Sequence, residues 1–430
     1  MSIDYTALND QPRLLLEATL KPLQGERFQA TGFADLGAAL YKLPDGTQKL
    51  LVESAQSVAN RLEMAIWDEA NDDLIEGLKG LPFVRIDCGR LGRTTTIQEF
   101  HRLNSPYLWK GDDNEAATKF RRAFCDKVGI SVPKSKKKSN NTSSEGAKGV
   151  LNRKQLTDAI FWFDPCCLIH GVFLEKLDGR LRVTRALSGF IEATNVLPAE
   201  SGGTKVDHVL PSPKTMGLNA DEGFGNVPFH RTEFVAECIT VYFNLDLALI
   251  HSYGLPECAE RLLISISLLK VQRFLELDLR LRAACDLQVS GDVIVKRPAG
   301  FILPTTDQCM RECQNQIREC LENRYFCHDV TTTEFRQKTK DMKISVIDIQ
   351  TNPTISEERK GDKLLTWNER KKEITIKAKL IEEIGIGEIG EVLGAELYPD
   401  NSDAQERFVL IVEKVMTQSE DENSSTEEGV

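Results

Sequence analysis

Strand-like and helix-like residue patterns alternate along the first two-thirds of the chain, and this alternation restricts the fold more than any other feature. Residues 14–20 are a short apolar run that ends near Pro22, where a hydrogen-bonded ladder cannot continue, so they predict a first strand. Residues 54–68 carry Leu62 and Ile66 at helical spacing behind a candidate serine cap. A sheet backed by helices, with long excursions between its elements, satisfies such an alternation. The sequence therefore predicts an α+β fold with a ferredoxin-like core.

The remaining elements follow from the alternating pattern of strands and the 3.6-residue period of helices. A hairpin is predicted at residues 41–52, around Pro44-Asp45-Gly46, and the Asp178-Gly179 turn joins two predicted strands at 159–175 and 181–193. Further strands are predicted at residues 277–289, 373–380 and 407–412, and helices at residues 233–250, 257–274 and 306–326.

Composition divides the chain into regions. At 430 residues it is long enough to bury a sizeable core without disulfides or metals. We predict a main domain over residues 1–330, interrupted at 131–149 by a flexible basic loop rich in Lys, Ser, Asn and Gly. A C-terminal α/β extension is predicted over residues 331–416. Residues 417–430 are acidic and lack apolar periodicity, which predicts a disordered tail.

The net charge of −11 argues against a nucleic-acid-binding protein, because Lys and Arg make most phosphate contacts. The charge is segregated, however. Residues 102–154 hold 13 Lys and Arg against 5 Asp and Glu, whereas residues 1–101 sum to −5 and residues 155–430 to −14. A basic segment flanked by acidic ones suits head-to-tail contacts between copies, in which unlike faces meet.

The chain shows no membrane or secretion signal. It has no stretch of about 18 apolar residues and no basic start followed by an apolar segment, so we expect a cytoplasmic protein. Its eleven cysteines are an odd number, and several of them, such as Cys166 and Cys238, lie in apolar runs. Without a secretory signal, these cysteines predict buried thiols and not disulfides.

Three runs rich in Gln, Ser, Thr, Asn and Arg lie at the junctions of the apolar segments. They span residues 22–37, 53–61 and 225–234. Side chains of these types hydrogen-bond a sugar-phosphate backbone, whereas acid–base chemistry needs positioned titratable groups. The second run begins a predicted helix, and the free amides at a helix start attract phosphate. The three runs therefore predict an interface for a nucleic-acid backbone.

These runs, together with Leu103-Asn104-Ser105-Pro106 and residues 279–287, resemble the backbone subunit of type I-U (also called I-G) CRISPR effector complexes. The resemblance covers residues 14–289. It implies a RAMP-superfamily protein with an RNA-recognition-like palm, long insertions and an additional C-terminal region. It further implies a Cascade surveillance complex in antiviral defence, in which many copies polymerise head-to-tail into a filament along the CRISPR RNA (crRNA) beside other effector-complex subunits. The guide bases then pair with target DNA, which a separate helicase-nuclease cuts.

The residues that stand in the matching motifs are carried over as RNA-binding candidates. They are Gln24, Arg27 and Thr31 in the first run, Ser54, Gln56, Ser57, Asn60 and Arg61 in the second, and Asn226, His230 and Arg231 in the third. Arg280 and Arg282 alternate on a predicted strand and so face one side of a sheet, where they suit either an RNA path or ion pairs. Five aromatic residues suit either base stacking or a core: Phe28, Phe33, Tyr107, Trp109 and Phe229.

No catalytic pattern stands out, and we expect no enzyme activity, cofactor or metal. The four cysteines within residues 309–327 have the spacing of a helix face and not of metal-binding knuckles. Residues 385–390 match a dinucleotide-binding glycine pattern, but the neighbouring glutamates would repel a pyrophosphate. Two alternatives stay open: a guide-processing endoribonuclease of the same superfamily that uses His230 or His170, and a dinucleotide-dependent metabolic enzyme.

Overall fold

The computed structural model describes residues 3–33, 37–89, 92–109, 115–130, 152–175, 181–208, 225–327, 330–335, 342–349, 351–356, 359, 364–385 and 388–425. The chain divides into two compact units, Met1–Arg336 and Gln337–Val430. The basic loop at 131–149 and the Asp178-Gly179 turn lie outside the described residues.

An eight-stranded sheet dominates the first unit. Its strands are β1 (Arg13–Pro22), β2 (Leu40–Lys42), β3 (Gln48–Glu53), β4 (Leu187–Lys205), β5 (Val227–Asp246), β6 (Leu279–Arg282), β7 (Cys285–Val289) and β8 (Ile294–Arg297). They lie in the order β6-β7-β1-β5-β4-β3-β2, and β8 also pairs with β1. Neighbouring strands run antiparallel throughout. The predicted α+β class is confirmed.

Helices and small ladders complete the first unit. The helices are α1 (Ala55–Met64), α2 (Pro106–Trp109), α3 (Glu115–Val128), α4 (Arg153–Phe163), α5 (Cys166–His170), α6 (Leu247–Ser252), α7 (Glu257–Glu276) and α8 (Thr306–Glu322), with short 3-10 turns at Thr6–Leu8, Glu76–Leu78 and Arg102–Asn104. The small ladders join Val84–Asp87 to Arg93–Thr95 and Thr331–Glu334, Gly32–Phe33 to Gly37–Ala38, Trp67–Asp68 to Asp73–Leu74, and Val172–Leu174 to Leu181–Val183.

Helix α7 packs against one face of the main sheet. Alternate residues of β1, from Leu14 to Leu20, and of β5, from Ile239 to Leu245, are buried. Phe243 of β5 meets Phe274 of α7 edge-on, with 6.0 Å between ring centroids. Each buried Leu, Ile or Phe side chain contributes roughly 1.5–3 kcal/mol, so this apolar layer fixes the helix on the sheet.

Residues 233–246 are a strand, so the helix predicted at 233–250 is wrong for most of its length. Only Leu247–Ser252 is helical. Burial alternates from Ile239 to Leu245, and β-branched and aromatic residues are frequent there, which is a strand pattern. Pairing with β1 on one side and β4 on the other determines the outcome. His230 consequently lies on a strand and not at the start of a helix.

Residues 159–163 and 166–170 are helical, so the strand predicted at 159–175 is wrong except at Val172–Leu174. The Asn152 side chain caps α4 by accepting hydrogen bonds from the backbone N–H groups of Lys154 and Gln155. This polar cap lies upstream of the apolar run, which by itself does not distinguish a buried helix from a strand.

The second unit has its own hydrophobic core. Strand Glu373–Ile376 lies between Met342–Ser345 and Leu365–Asn368, and the helices are α9 (Ala378–Ile384), α10 (Ile389–Leu397) and α11 (Ser402–Ser425). The strand predicted at 407–412 is wrong, because Ala404, Phe408 and Val412 are buried one helical turn apart on α11. The glycine pattern at 385–390 separates two helices and not two strands. Helix α11 continues to Ser425, within the segment that composition predicts to be disordered.

The cysteines of α8 are packing residues. Cys309, Cys313 and Cys320 are buried free thiols, and Cys320 Sγ lies 3.7 Å from Cys258 Sγ of α7. Burial raises the pKa of the Cys309 thiol to about 12, so this thiol stays protonated near neutral pH. The described residues contain no group of three or more His, Cys, Asp and Glu placed to hold a metal. None of the described helices is long and apolar enough to cross a membrane.

Candidate nucleic-acid interface

The second polar run begins helix α1, as the sequence predicts. Ser54 caps the helix, since its Oγ accepts a hydrogen bond from the backbone N–H of Ser57 at 3.2 Å. Gln56 and Asn60 lie one turn apart, and the Gln56 amide donates to Asn60 Oδ1 at 3.2 Å. The helix start therefore presents several hydrogen-bonding side chains on one open face.

A surface cleft of about 610 Å³ lies beside this helix face, and we call it the α1 cleft. Ser57, Asn60 and Arg280 contribute polar groups to its lining, while Phe100 and Leu277 contribute apolar ones. Phe100 and Leu277 are more than half exposed, at 54% and 59%. Polar donors next to exposed apolar side chains suit a nucleotide, which has a charged phosphate and a flat base.

Arg61 connects the helix to the strand that borders the α1 cleft. Its guanidinium donates to the carbonyl oxygen of Arg280 at 3.0 Å and also to that of Leu281. These bonds hold β6 against α1. Arg61, which the resemblance assigns to RNA, thus has a structural role inside the protein.

Arg280 and Arg282 lie on the same side of β6 but have different surroundings. Arg282 pairs with Glu53 and donates to the carbonyl oxygen of Val52 at 3.1 Å. Arg280 is exposed, makes no ion pair within the described part of the chain and lines the α1 cleft. Of the two roles left open by the sequence, Arg282 takes the ion pair, and Arg280 has a charged group available to a ligand.

The third polar run lies on the long hairpin of β4 and β5. His230 Nε2 contacts Glu200 Oε2 across this hairpin at 2.7 Å, and both side chains are exposed. Asn226 Oδ1 accepts a hydrogen bond from the backbone N–H of Asp207 at 2.8 Å. Ile191 of β4 pairs with β3 near the α1 start, so the hairpin extends about 35 Å from there to the level of His230, at 3.3 Å per residue.

Glu233 connects the first polar run to the third. Its buried carboxylate contacts Arg27 at 3.2 Å and Arg231 at 3.6 Å. Directly beside it, Phe28 and Phe234 exchange two backbone hydrogen bonds of 2.9 and 2.8 Å. The loop after β1 is therefore attached to the middle of the hairpin.

The same loop also reaches the start of α1. At its far end, the backbone N–H of Thr31 donates to the carbonyl of Val52 at 3.1 Å, just before Ser54. The three runs, which are far apart in sequence, therefore form one continuous path from the outer hairpin to the α1 cleft. Gln24 is exposed in the turn at the start of the loop. We name this path the polar strip; it comprises Asn226, His230, Arg231, Arg27, Thr31, Ser54, Ser57, Asn60 and Arg280.

Most of the aromatic candidates for base stacking belong to the core. Phe28 is buried, and Tyr107 packs edge-on against Phe335. Trp109 contacts Phe124. Phe229 is half exposed on the outer hairpin, and the side chain of Phe33 lies outside the described residues.

A buried ionic network lies on the inner side of α1, and nothing in the sequence analysis anticipates it. Glu63 and Arg102 form a two-bond ion pair with N–O distances of 2.7 and 2.5 Å. His170 Nε2 lies 2.8 Å from Lys270 Nζ, and both residues are buried. Burial and the Lys270 ammonium hold the pKa of His170 well below its ordinary value, so the ring is neutral and its Nε2 accepts a hydrogen bond from Lys270 Nζ. His170, one of two histidines named for the ribonuclease alternative, is enclosed in the core.

A sequence match relates part of the chain to a known protein family. Residues 14–198 match the family model described as CRISPR-associated protein GSU0053. The match confirms, over these residues, the predicted resemblance to a CRISPR-associated family. The matched segment contains the first two polar runs, whereas the third run and Arg280 lie beyond it.

Some solved structures show weaker likenesses to this chain. A chain from "CRISPR RNA-guided surveillance complex, pre-nicking" is 15% identical with a TM-score of 0.34, over 76% of this chain and 96% of that one. Csc2 from Thermofilum pendens is 11% identical with a TM-score of 0.27, over 75% and 80%. A chain from another "CRISPR RNA-guided surveillance complex" is 13% identical with a TM-score of 0.28, over 72% and 88%. No curated protein matches. The likeness to a CRISPR-associated family therefore rests on the sequence match.

Proposed function

We propose that this protein is a crRNA-binding backbone subunit of a type I-U/I-G CRISPR effector complex. In this proposal, copies associate head-to-tail along the guide in the cytoplasm, beside other effector subunits, and present the guide bases for pairing with target DNA. The observation that carries the proposal is the polar strip, in which three separate runs of hydrogen-bonding residues meet and lead to the exposed Arg280.

The strand order supports an RNA-recognition-like palm. Strands β1, β4, β5 and β7, with α1 after the first and α7 after the third, follow the chain order strand-helix-strand-strand-helix-strand. In space they lie as fourth, first, third, second, which is the ferredoxin-like arrangement. The long hairpin of β4 and β5 and the second unit are then additions to this palm.

The chemistry of the strip suits backbone binding without base recognition. Asn60, Ser57 and the amides at the α1 start offer hydrogen bonds to phosphate and ribose oxygens, and Arg280 offers a charged pair to one phosphate. Contacts to phosphate and ribose carry no direct sequence information. The proposal therefore leaves sequence recognition to base pairing by the guide.

One observation favours a second function. His230 and Glu200 form an exposed histidine–carboxylate pair, a combination that general acid–base cleavage of RNA uses. We nevertheless propose that the pair binds backbone or stabilises the hairpin, because the described residues place no second catalytic group beside it. Cleavage of repeat RNA by the purified protein, lost in His230→Ala, would support the endoribonuclease instead.

Replacing Arg280 by alanine tests the RNA-binding role. We expect Arg280→Ala to weaken binding of a single-stranded RNA and to lower the slope of log affinity against log salt by about 0.7–1, the effect of one lost phosphate contact. Unlike Arg61, the Arg280 side chain makes no hydrogen bond or ion pair within the part of the chain that the structure describes, so folding should be unaffected. Binding is measured by fluorescence anisotropy at four salt concentrations, with RNAs of two unrelated sequences.

Arg318→Ala is the matched control for this experiment. Arg318 is exposed on α8 and lines neither the α1 cleft nor any other described cleft. The Arg318→Ala variant should bind RNA with the same affinity and the same salt slope as the unmodified protein. Equal behaviour of Arg280→Ala and Arg318→Ala would remove the α1 cleft from the RNA path.

A further inference from the structure

A second cleft, of about 340 Å³, lies at the opposite end of α7 from the α1 cleft. The α1 cleft is lined by Phe274 and Leu277 at the C-terminal end of α7, whereas Leu255 and Pro256 just before its N-terminus line this one. Helix α7 has 20 residues and is therefore about 30 Å long. We name the second site the Trp162 cleft; its lining includes Lys127, Lys154, Asp158, Trp162, Arg324 and Tyr325.

Cations outnumber carboxylates in the Trp162 cleft. Lys127, Lys154 and Arg324 face a single acidic residue, Asp158, which pairs with Lys154 one helical turn away. The Lys127 ammonium lies over the Trp162 ring, with 3.5 Å between Nζ and the ring centroid. The site therefore keeps a net positive charge next to an indole.

Arg324 occupies a backbone conformation that normally favours glycine. Its φ is +58°, and it follows the end of α8, where the N–H of Tyr325 donates back to the carbonyl of Cys320 at 2.9 Å. Such a helix ending usually has glycine at this position, because a side chain there is strained. A strained residue that carries a charged group into a cleft points to a function for that group.

The local packing fixes Arg324 and Tyr325 beside the indole. Phe326 is buried with its ring 5.6 Å from that of Phe161, and the N–H of Cys327 donates to the carbonyl of Trp162 at 3.2 Å. Because Phe326 points into the core, Tyr325 stays on the surface, 37% exposed. The backbone that carries Arg324 and Tyr325 is thus fixed beside the indole.

We propose that the Trp162 cleft binds a segment of single-stranded nucleic acid distinct from the strand on the polar strip. Arg324 and Lys154 would contact phosphates, and a base would stack on Tyr325. An acidic peptide would pair with the cations, but each nucleotide carries both a phosphate for a cation and a flat base for an aromatic ring, so the combination favours nucleic acid. The site is about 30 Å from the α1 cleft, and its occupancy does not depend on the guide-binding role of the strip.

The experiment uses the full chain mixed with one molar equivalent of unlabelled guide RNA, which occupies the polar strip and leaves no excess RNA to compete at the Trp162 cleft. A labelled thymidine oligonucleotide is then titrated, and binding is followed by anisotropy. We expect Arg324→Gly to weaken this second binding while the melting temperature stays equal or rises, because glycine relieves the strained φ. Tyr325→Ala should weaken it about fivefold or more through lost stacking. Arg318→Ala is the control and should bind as the unmodified protein does.

The outcomes separate this proposal from the proposed function. If Arg280→Ala alters RNA binding but Arg324→Gly and Tyr325→Ala leave oligonucleotide affinity unchanged, the Trp162 proposal fails while the strip stands. The alternative outcome is that a polyglutamate peptide displaces the labelled oligonucleotide while Tyr325→Ala binds the oligonucleotide as tightly as the unmodified protein does. That result would assign the Trp162 cleft to an acidic protein partner and overturn the proposal. Weaker oligonucleotide binding in both Arg324→Gly and Tyr325→Ala supports the Trp162 proposal, whatever the result for Arg280→Ala.

Discussion

Arg102→Met is expected to destabilise the first unit by about 3–5 kcal/mol. The change removes both hydrogen bonds to the Glu63 carboxylate and leaves that carboxylate inside the core, where its side chain is 1% exposed. Arg102 also donates to the carbonyl oxygen of Phe100 at 3.2 Å. Glu63 belongs to α1 and Phe100 lines the α1 cleft, so the pair joins two parts of the proposed RNA site.

Urea denaturation followed by tryptophan fluorescence measures this effect. Three of the four tryptophans belong to the first unit, so their emission reports mainly on it, and the second unit with its separate core needs its own transition in the fit. Adding Glu63→Met should recover much of the lost stability, because no unpaired charge then stays buried. Arg93→Met removes an exposed pair with Asp72 and should cost less than about 1 kcal/mol. Equal losses in Arg102→Met and Arg93→Met would contradict the buried pair.

Phe28→Ala is the second large expected effect, a loss of about 3–5 kcal/mol for a large side chain removed from a core. Phe28 is 1% exposed and pairs with Phe234, so its ring fixes the loop that carries Arg27 and Thr31 to the hairpin. The same urea titration measures it. Phe229→Ala is the control on β5, because Phe229 is 48% exposed and its truncation should change stability by about 0.5 kcal/mol or less. If Phe28→Ala lost as little stability as Phe229→Ala, Phe28 would not be a core residue.

Local chemistry explains the elements that the sequence predicts well. Strand β1 ends at Pro22 because proline has no N–H to donate, and α1 begins after Ser54 because a serine hydroxyl caps the free amides. Strand β5 is different, because its first half, residues 227–238, lacks the alternation of residues 239–245 and suits either a helix or a strand. Only the pairing with β1 and β4, which are distant in the chain, decides between them. A single sequence does not contain that information in readable form.

The candidate site likewise has parts that the sequence predicts and parts that only the structure reveals. The hydrogen-bonding runs are visible in sequence, but their union into one strip depends on contacts such as Arg27 with Glu233, which no local pattern reveals. Likewise, Arg280 and Arg282 are equivalent on a strand until Glu53 is seen beside Arg282. The buried Glu63 leaves one readable signal: it directly follows Leu62 on the apolar side of α1, where an unpaired carboxylate is costly.

Crosslinking of bound RNA tests the central claim, that the polar strip is the path of the guide. The full chain is purified with guide RNA or mixed with it, irradiated, digested, and the crosslinked peptides are identified by mass spectrometry. Our account predicts crosslinks in residues 24–31, 54–64, 226–231 and 277–282, and their loss at high salt. An absence of crosslinks from all four segments, with RNA attached only elsewhere on the first unit or on the second, would contradict it.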